Sequence, residues 1–207
     1  MSHGFETGPA STAHTAAPPI AAIVLAAGVS RRMGTNKLLL PLAGEPLVRR
    51  ACRLALAAEL YPLIVVLGHE PERVRSALGG LDCQFALNAD LGGPMSSSLR
   101  RGLECLPADA ASAVIVLADM VHVTEQMLRA LVIAAASSAA PLVCSRYAQI
   151  LAPPILFRRV LFGELLASRG EGCGKAVVEQ HREQALCIDW PPAALMDVDT
   201  PEDFARL

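Results

Sequence analysis

No apolar run in the 207 residues approaches the ~18 that a membrane-spanning helix needs. The opening stretch MSHGFETGPASTAHTAAPP lacks the basic start and apolar centre of a signal peptide, and it is small, polar and proline-ended. Residues 1–19 are therefore expected to be a disordered leader, residues 20–207 a single domain, and the protein cytoplasmic. The six cysteines (Cys52, Cys83, Cys105, Cys144, Cys173 and Cys187) include no CxxC and no paired Cys/His spacing, and the five histidines are scattered. That argues against a zinc site or a disulfide framework and for reduced thiols. Neither sign of charge dominates: 18 Lys and Arg against 20 Asp and Glu leave a net charge of −2. A nucleic-acid or membrane-surface partner is not expected, and any anion site must be local. Neither GxGxxG nor GxxxxGK(S/T) occurs, so the dinucleotide fingerprint and the Walker loop are both absent.

What is present is packing material, with 53% of residues apolar. IAAIVLAA (residues 20–27), PLIVVLG, LDCQFALN, SAVIVLADM, APLVCSRY and ALCIDW read as strands. Between them EPLVRRACRLALAAEL, with Pro46 in its first turn, PERVRSAL, MSSSLRRGLECL and TEQMLRALVIAAASS read as helices. ILFRRVLFGELLASRG is the helix-like segment between the last two strands, and TPEDFARL closes the chain as a helix. Thr124, the serines of MSSS, and Thr200 ahead of Pro201 are suited to capping. Such alternation predicts an α/β fold: one domain with a mainly parallel, Rossmann-like sheet and helices on both faces. Ligands of such sheets sit beyond the carboxyl ends of the strands.

One strand delivers a cationic loop to such an end. In LAAGVSRRMGTNK, residues Leu25, Ala26, Ala27 and Gly28 keep the backbone approachable, and Ser30, Arg31, Arg32, Gly34 and Lys37 follow within ten positions. Backbone N–H groups in a glycine-bearing turn can line up on phosphate oxygens. Arg32 can fork two such oxygens, and Lys37 supplies a point charge. The bland alternative is a turn with solvated cations. Asp119 ends the strand SAVIVLADM, where a carboxylate needs a partner; magnesium, which takes oxygen ligands, would stabilise it.

LAAGVSRRMGTNKLLLPLAGEPLV resembles the signature of the MobA-like nucleotidyltransferases. NADLGGPMSSSLRRGL and LMDVDTPEDFARL resemble two later segments of that family, in the same order and spacing. The resemblance covers roughly residues 20–207 and implies the nucleotide-diphospho-sugar transferase type of fold. Guanylyltransferases of the family tend to read LAGG and cytidylyltransferases LAAG, so this chain's LAAG makes the resemblance closest to molybdenum cofactor cytidylyltransferases; a methyl at Ala27, which narrows the space against the base, also suits a pyrimidine. Gly93 and Ser98 would form the second wall of the base pocket. The resemblance also makes Asp119 a metal ligand for Mg²⁺, completed by Asp197 or Asp199, with Asp199 preferred; the alternative is that one of these two merely caps the last helix.

Three departures concern the far end of the site. Met120 and Val121 stand where relatives read DxP, Pro94 stands for Gly, and GEGCGK replaces GDxGAR. Glu171 and Lys175 would then serve as the acceptor-binding pair. The implied reaction moves CMP from CTP to the terminal phosphate of molybdenum-bearing molybdopterin and releases pyrophosphate, with Arg32 and Lys37 as the catalytic cations and no Ser, Cys or His nucleophile. A transient contact with a client molybdoenzyme is implied as well. The competing readings are a same-fold nucleotidyltransferase with another NTP or phosphate acceptor, and a non-catalytic accessory protein that hands over the cofactor.

Overall fold

The computed structural model describes residues 19–170, 172 and 174–207. The expected leader, residue 19 apart, and Glu171 thus lie outside the described residues. In chain order the strands are β1 (Ile20–Ala26), β2 (Pro41–Leu42), β3 (Glu45–Pro46), β4 (Leu63–Leu67), β5 (Gln84–Leu87), β6 (Ser112–Leu117), β7 (Leu142–Tyr147), β8 (Ile150–Arg158) and β9 (Leu186–Trp190). The helices are α1 (Leu47–Ala57), α2 (Pro71–Ala77), α3 (Met95–Glu104), α4 (Glu125–Ala136), α5 (Phe162–Ala167), α6 (Lys175–Gln180) and α7 (Pro201–Ala205).

Seven strands form one sheet in the order β5-β4-β1-β6-β8-β7-β9. All neighbours are parallel except where β8 runs antiparallel to β6 and β7. The sheet is mainly parallel with helices on both faces, as the alternation predicts. The uniformly apolar β1 follows from burial on both sides. Ala22, Val24 and Ala26 pack with α1, α2 and α4, whereas Ala21, Ile23 and Leu25 pack with α3, α5 and α6. Gly102 lets α3 lie flat on this second face, since a Cβ there would stand 2.4 Å from Ile23 Cγ2. Among the described residues no helix is long and apolar enough to cross a membrane.

Three local expectations are corrected. Ile155 to Arg158 belong to strand β8, because Ile155, Leu156 and Phe157 are buried against β6 and β7 and leave no solvent-facing stripe for a helix. Glu45 and Pro46 pair with β2, so α1 starts two residues later than expected, at Leu47, with Pro46 in the capping position. The serines at the start of α3 do not cap it: Pro94 holds that place, and Asn88 Nδ2 donates to both Ser97 Oγ and Ser98 Oγ at 2.9 Å. Thr124 and Thr200 do cap α4 and α7, each accepting a backbone N–H three residues on.

Candidate nucleotide and metal site

The chain leaves β1 through a left-handed residue at Ser30 (φ 50°) and another at Gly34 (φ 73°), the latter a conformation glycine adopts freely. Ser30 O accepts from Met33 N at 3.0 Å, and Ser30 Oγ accepts from Lys37 N at 3.1 Å. The loop is thereby folded back on itself. Asn36, 3% exposed, caps the one-turn helix Lys37–Leu39 by accepting from Leu38 N, and its Nδ2 reaches His69 O at 3.4 Å. These bonds plant Lys37, itself 8% exposed, with its ammonium in the site.

The last segment of the chain meets the end of β6. Met120 and Asp197 form an isolated antiparallel bridge, and Val198 N donates to Asp119 O at 3.2 Å. Val198 is fully buried with Met33, Leu47 and Val121. In an extended chain neighbours alternate sides, so burying Val198 turns Asp197 and Asp199 together toward the pocket. Val121, a departure from the family pattern, is part of the apolar anchor.

Lys37 Nζ donates to Asp119 Oδ2 at 2.6 Å and to Asp199 Oδ1 at 2.7 Å, and Arg32 Nη2 donates to Asp199 Oδ2 at 2.5 Å. Neither Asp197 nor Asp199 caps α7; Thr200 and Asp203 share that task through a reciprocal capping box. Burial alone would lower the Lys37 pKa, but the Asp119 and Asp199 charges outweigh it and hold the ammonium above its ordinary value. Asp199 is held below its ordinary value, because hydrogen bonds and charge from Lys37 and Arg32 overcome its desolvation. Asp197 is pushed up by desolvation and then by the Asp119 charge; as it is the most exposed of the three, the Asp119 charge is the firmer cause.

One oxygen from each of Asp119, Asp197 and Asp199 lies within 4.8 Å of the other two. An all-oxygen set of three crowded carboxylates fits a hard divalent cation such as Mg²⁺ or Mn²⁺.

A cavity of about 500 Å³ joins these groups, a size that accommodates a nucleotide. Leu25, Ala27, Gly28, Ser30, Arg31, Arg32, Lys37, Gly93, Ser98, Asp119, Asp197 and Asp199 all line it. Ala26 is buried beneath it and Gly34 shapes the loop without lining it. Gly28 opens onto free space, whereas the room beside Gly93 is taken by Asp90, whose Oδ2 would stand 2.0 Å from a Cβ there. Lys175 lines a second cavity of about 210 Å³ that shares Met95 and Leu117 with the first.

Sequence reading missed Asn36, Asp90, Met95, Leu117 and Gly68. A Cβ at Gly68 would lie 2.5 Å from Ala27 O, so that glycine is what lets β4 and the loop after β1 close up. An asparagine just before KLLL was the available signal for Asn36, as a cap; nothing local marks the others.

Residues 22–185 match the model of the MobA-like NTP transferase domain. The purine catabolism protein PucB of Bacillus subtilis (strain 168) is 32% identical over 203 residues, covering 90% of this chain and 95% of that protein. The bifunctional protein GlmU of Kineococcus radiotolerans is 44% identical over 104 residues, but the match covers 48% of this chain and only 21% of that longer relative. Among solved structures, Rv0371c of Mycobacterium tuberculosis superposes with a TM-score of 0.78 at 29% identity, covering 91% of this chain and 97% of its own. The same mycobacterial protein has also been solved in complex with manganese.

Proposed function

The chain belongs to the MobA-like NTP transferase family, and from that premise we propose that it transfers CMP from CTP to the terminal phosphate of molybdenum-bearing molybdopterin. The acceptor's phosphate oxygen bonds to the α-phosphorus, the bond from that phosphorus to the bridging oxygen breaks, and pyrophosphate leaves with the electron pair. The acceptor needs no activating base, since the second pKa of a phosphate monoester is about 6 and its oxygen is already charged at neutral pH. The observation that carries the reading is the joined cavity in which Arg32 and Lys37 face three carboxylates.

In this reading Arg32 and Lys37 leave Asp199 and Asp119 to take the oxygens of the departing pyrophosphate, where fixed positive charge lowers the barrier. Mg²⁺ held by Asp119 with Asp199 or Asp197 would add charge neutralisation on the phosphate oxygens. Ala27 and Ser98 bound the base, and Lys175, in the adjoining cavity, meets the acceptor. The name of PucB, a purine catabolism protein, supports the choice, because the resemblance implies a cytosine dinucleotide product of the kind used by xanthine-dehydrogenase-type enzymes. Lys175, where relatives often carry arginine, favours the second reading of another acceptor, since lysine lacks the bidentate grip.

Pyrophosphate release should be assayed for CTP, GTP, ATP and UTP against molybdenum-bearing molybdopterin and other phosphate acceptors. Release with CTP and the pterin is expected. Release with another pair supports the second reading, and release with none returns the accessory-protein reading.

A further inference from the structure

Among the described residues the main cavity carries four carboxylates, and the cation and metal cluster accounts for three of them. Asp90 is the fourth. It stands on the loop after β5, whereas Asp119 follows β6, and the sheet order β5-β4-β1-β6 puts three strand spacings between them. At ~4.8 Å per spacing the ends of β5 and β6 lie roughly 14 Å apart, which sets Asp90 and Asp119 toward opposite ends of the cavity.

Among the described residues the Asp90 carboxylate forms no ion pair and accepts no hydrogen bond, unlike Asp119 and Asp199. Its surroundings are nonetheless built. Asp90 N donates to Asn88 Oδ1 at 3.1 Å, Asn88 is 8% exposed and tied to Ser97 and Ser98, and the carboxylate rests over Gly93, where any side chain would displace it. A free carboxylate repels phosphate oxygens but accepts hydrogen bonds from an amino group. The phosphates therefore take the end with Arg32 and Lys37, and the base takes the end with Asp90.

We infer that Asp90 is a specificity residue: its carboxylate accepts from the exocyclic amine of the bound base, N4 of cytosine, and rejects uracil, whose O4 would meet it lone pair to lone pair. The inference rests on the nucleotidyltransferase reading and adds the group that tells CTP from UTP.

Titration calorimetry with CTP, UTP and GTP, each with Mg²⁺, on the wild type, Asp90→Asn and Asp90→Ala tests it. The wild type should prefer CTP by roughly tenfold or more, in the range of one well-placed base contact. Asp90→Asn, whose amide can donate to O4 as well as accept from N4, should bring the ratio close to one. Asp90→Ala should weaken CTP and leave UTP nearly unchanged. Unfolding temperatures without nucleotide should match, since Asp90 is exposed. A CTP preference that both variants retain overturns the inference alone. A wild type that binds UTP as well as CTP also overturns it, and one that binds GTP best overturns the cytidylyl reading together with it.

Discussion

Lys37 is the residue on which the site turns, because its one ammonium joins the end of β6 to the end of the chain through Asp119 and Asp199. Each aspartate has a separable share in that arrangement. Asp119→Asn keeps an acceptor for Lys37 but loses charge, so folding should survive while turnover falls a hundredfold or more, the usual cost of losing charge stabilisation in a fixed site. Asp199→Asn should cost as much, since both its oxygens hold cations. The double substitution should be far from additive because the two act through the same groups. Asp197, which pairs with no cation among the described residues, should give the mildest variant. Pyrophosphate release followed against Mg²⁺ concentration checks all four, and near-normal turnover in Asp119→Asn would remove that carboxylate from the mechanism.

Helix α7 has five residues, too few to persist on propensity alone. Its capping box does more than start it. Asp203 Oδ2 accepts from Thr200 N at 2.9 Å and from Asp199 N at 3.2 Å, so the cap also sets the backbone that carries Asp199. Thr200→Ala should cost about 1 kcal/mol, a fall of about 2–4 °C in Tm for a chain of this size. It should also raise the KM for the nucleotide, which a remote cap would leave alone. A lower Tm with an unchanged KM would show that α7 is a support and not part of the site.

For the whole molecule, the sheet divides the core into two layers, and each layer holds a buried thiol: Cys52 on the side of α1 and α4, Cys144 on the side of α3 and α5. Burial pushes the Cys144 thiol up to about 12 and Cys52 higher still. A raised pKa keeps the proton on in the folded state while the unfolded chain loses it from about 8.5. Stability is therefore intact below about pH 8.5 and is lost as pH climbs toward the folded values, by up to about 1.4 kcal/mol per pH unit per thiol. Tm should hold from pH 7 to 8.5 and then fall, less steeply in Cys144→Ala. An alkaline slope identical in that variant would mean that Cys144 does not titrate with unfolding.

Some of this was determined by the sequence alone, where the signal is local. Runs such as IAAIVLAA and SAVIVLADM specify buried strands by composition, Thr124 and Thr200 mark helix starts by their own side-chain chemistry, and the resemblance to the MobA-like signature singles out Arg32, Lys37 and Asp119. Other features were decided only by tertiary structure. ILFR (residues 155–158) becomes the end of strand β8 because a gap between β6 and β7 is filled by residues buried on both faces, and no local periodicity separates that from a buried helix. The Ser97 and Ser98 hydroxyls turn to Asn88, a residue nine or ten positions away, instead of capping their own helix. Asp197 and Asp199 face the pocket because Val198 is buried beneath Met33 and Val121, and Gly68 matters because β4 touches the backbone of Ala27. Each of these depends on a contact between segments distant in the chain, which a linear pattern does not encode.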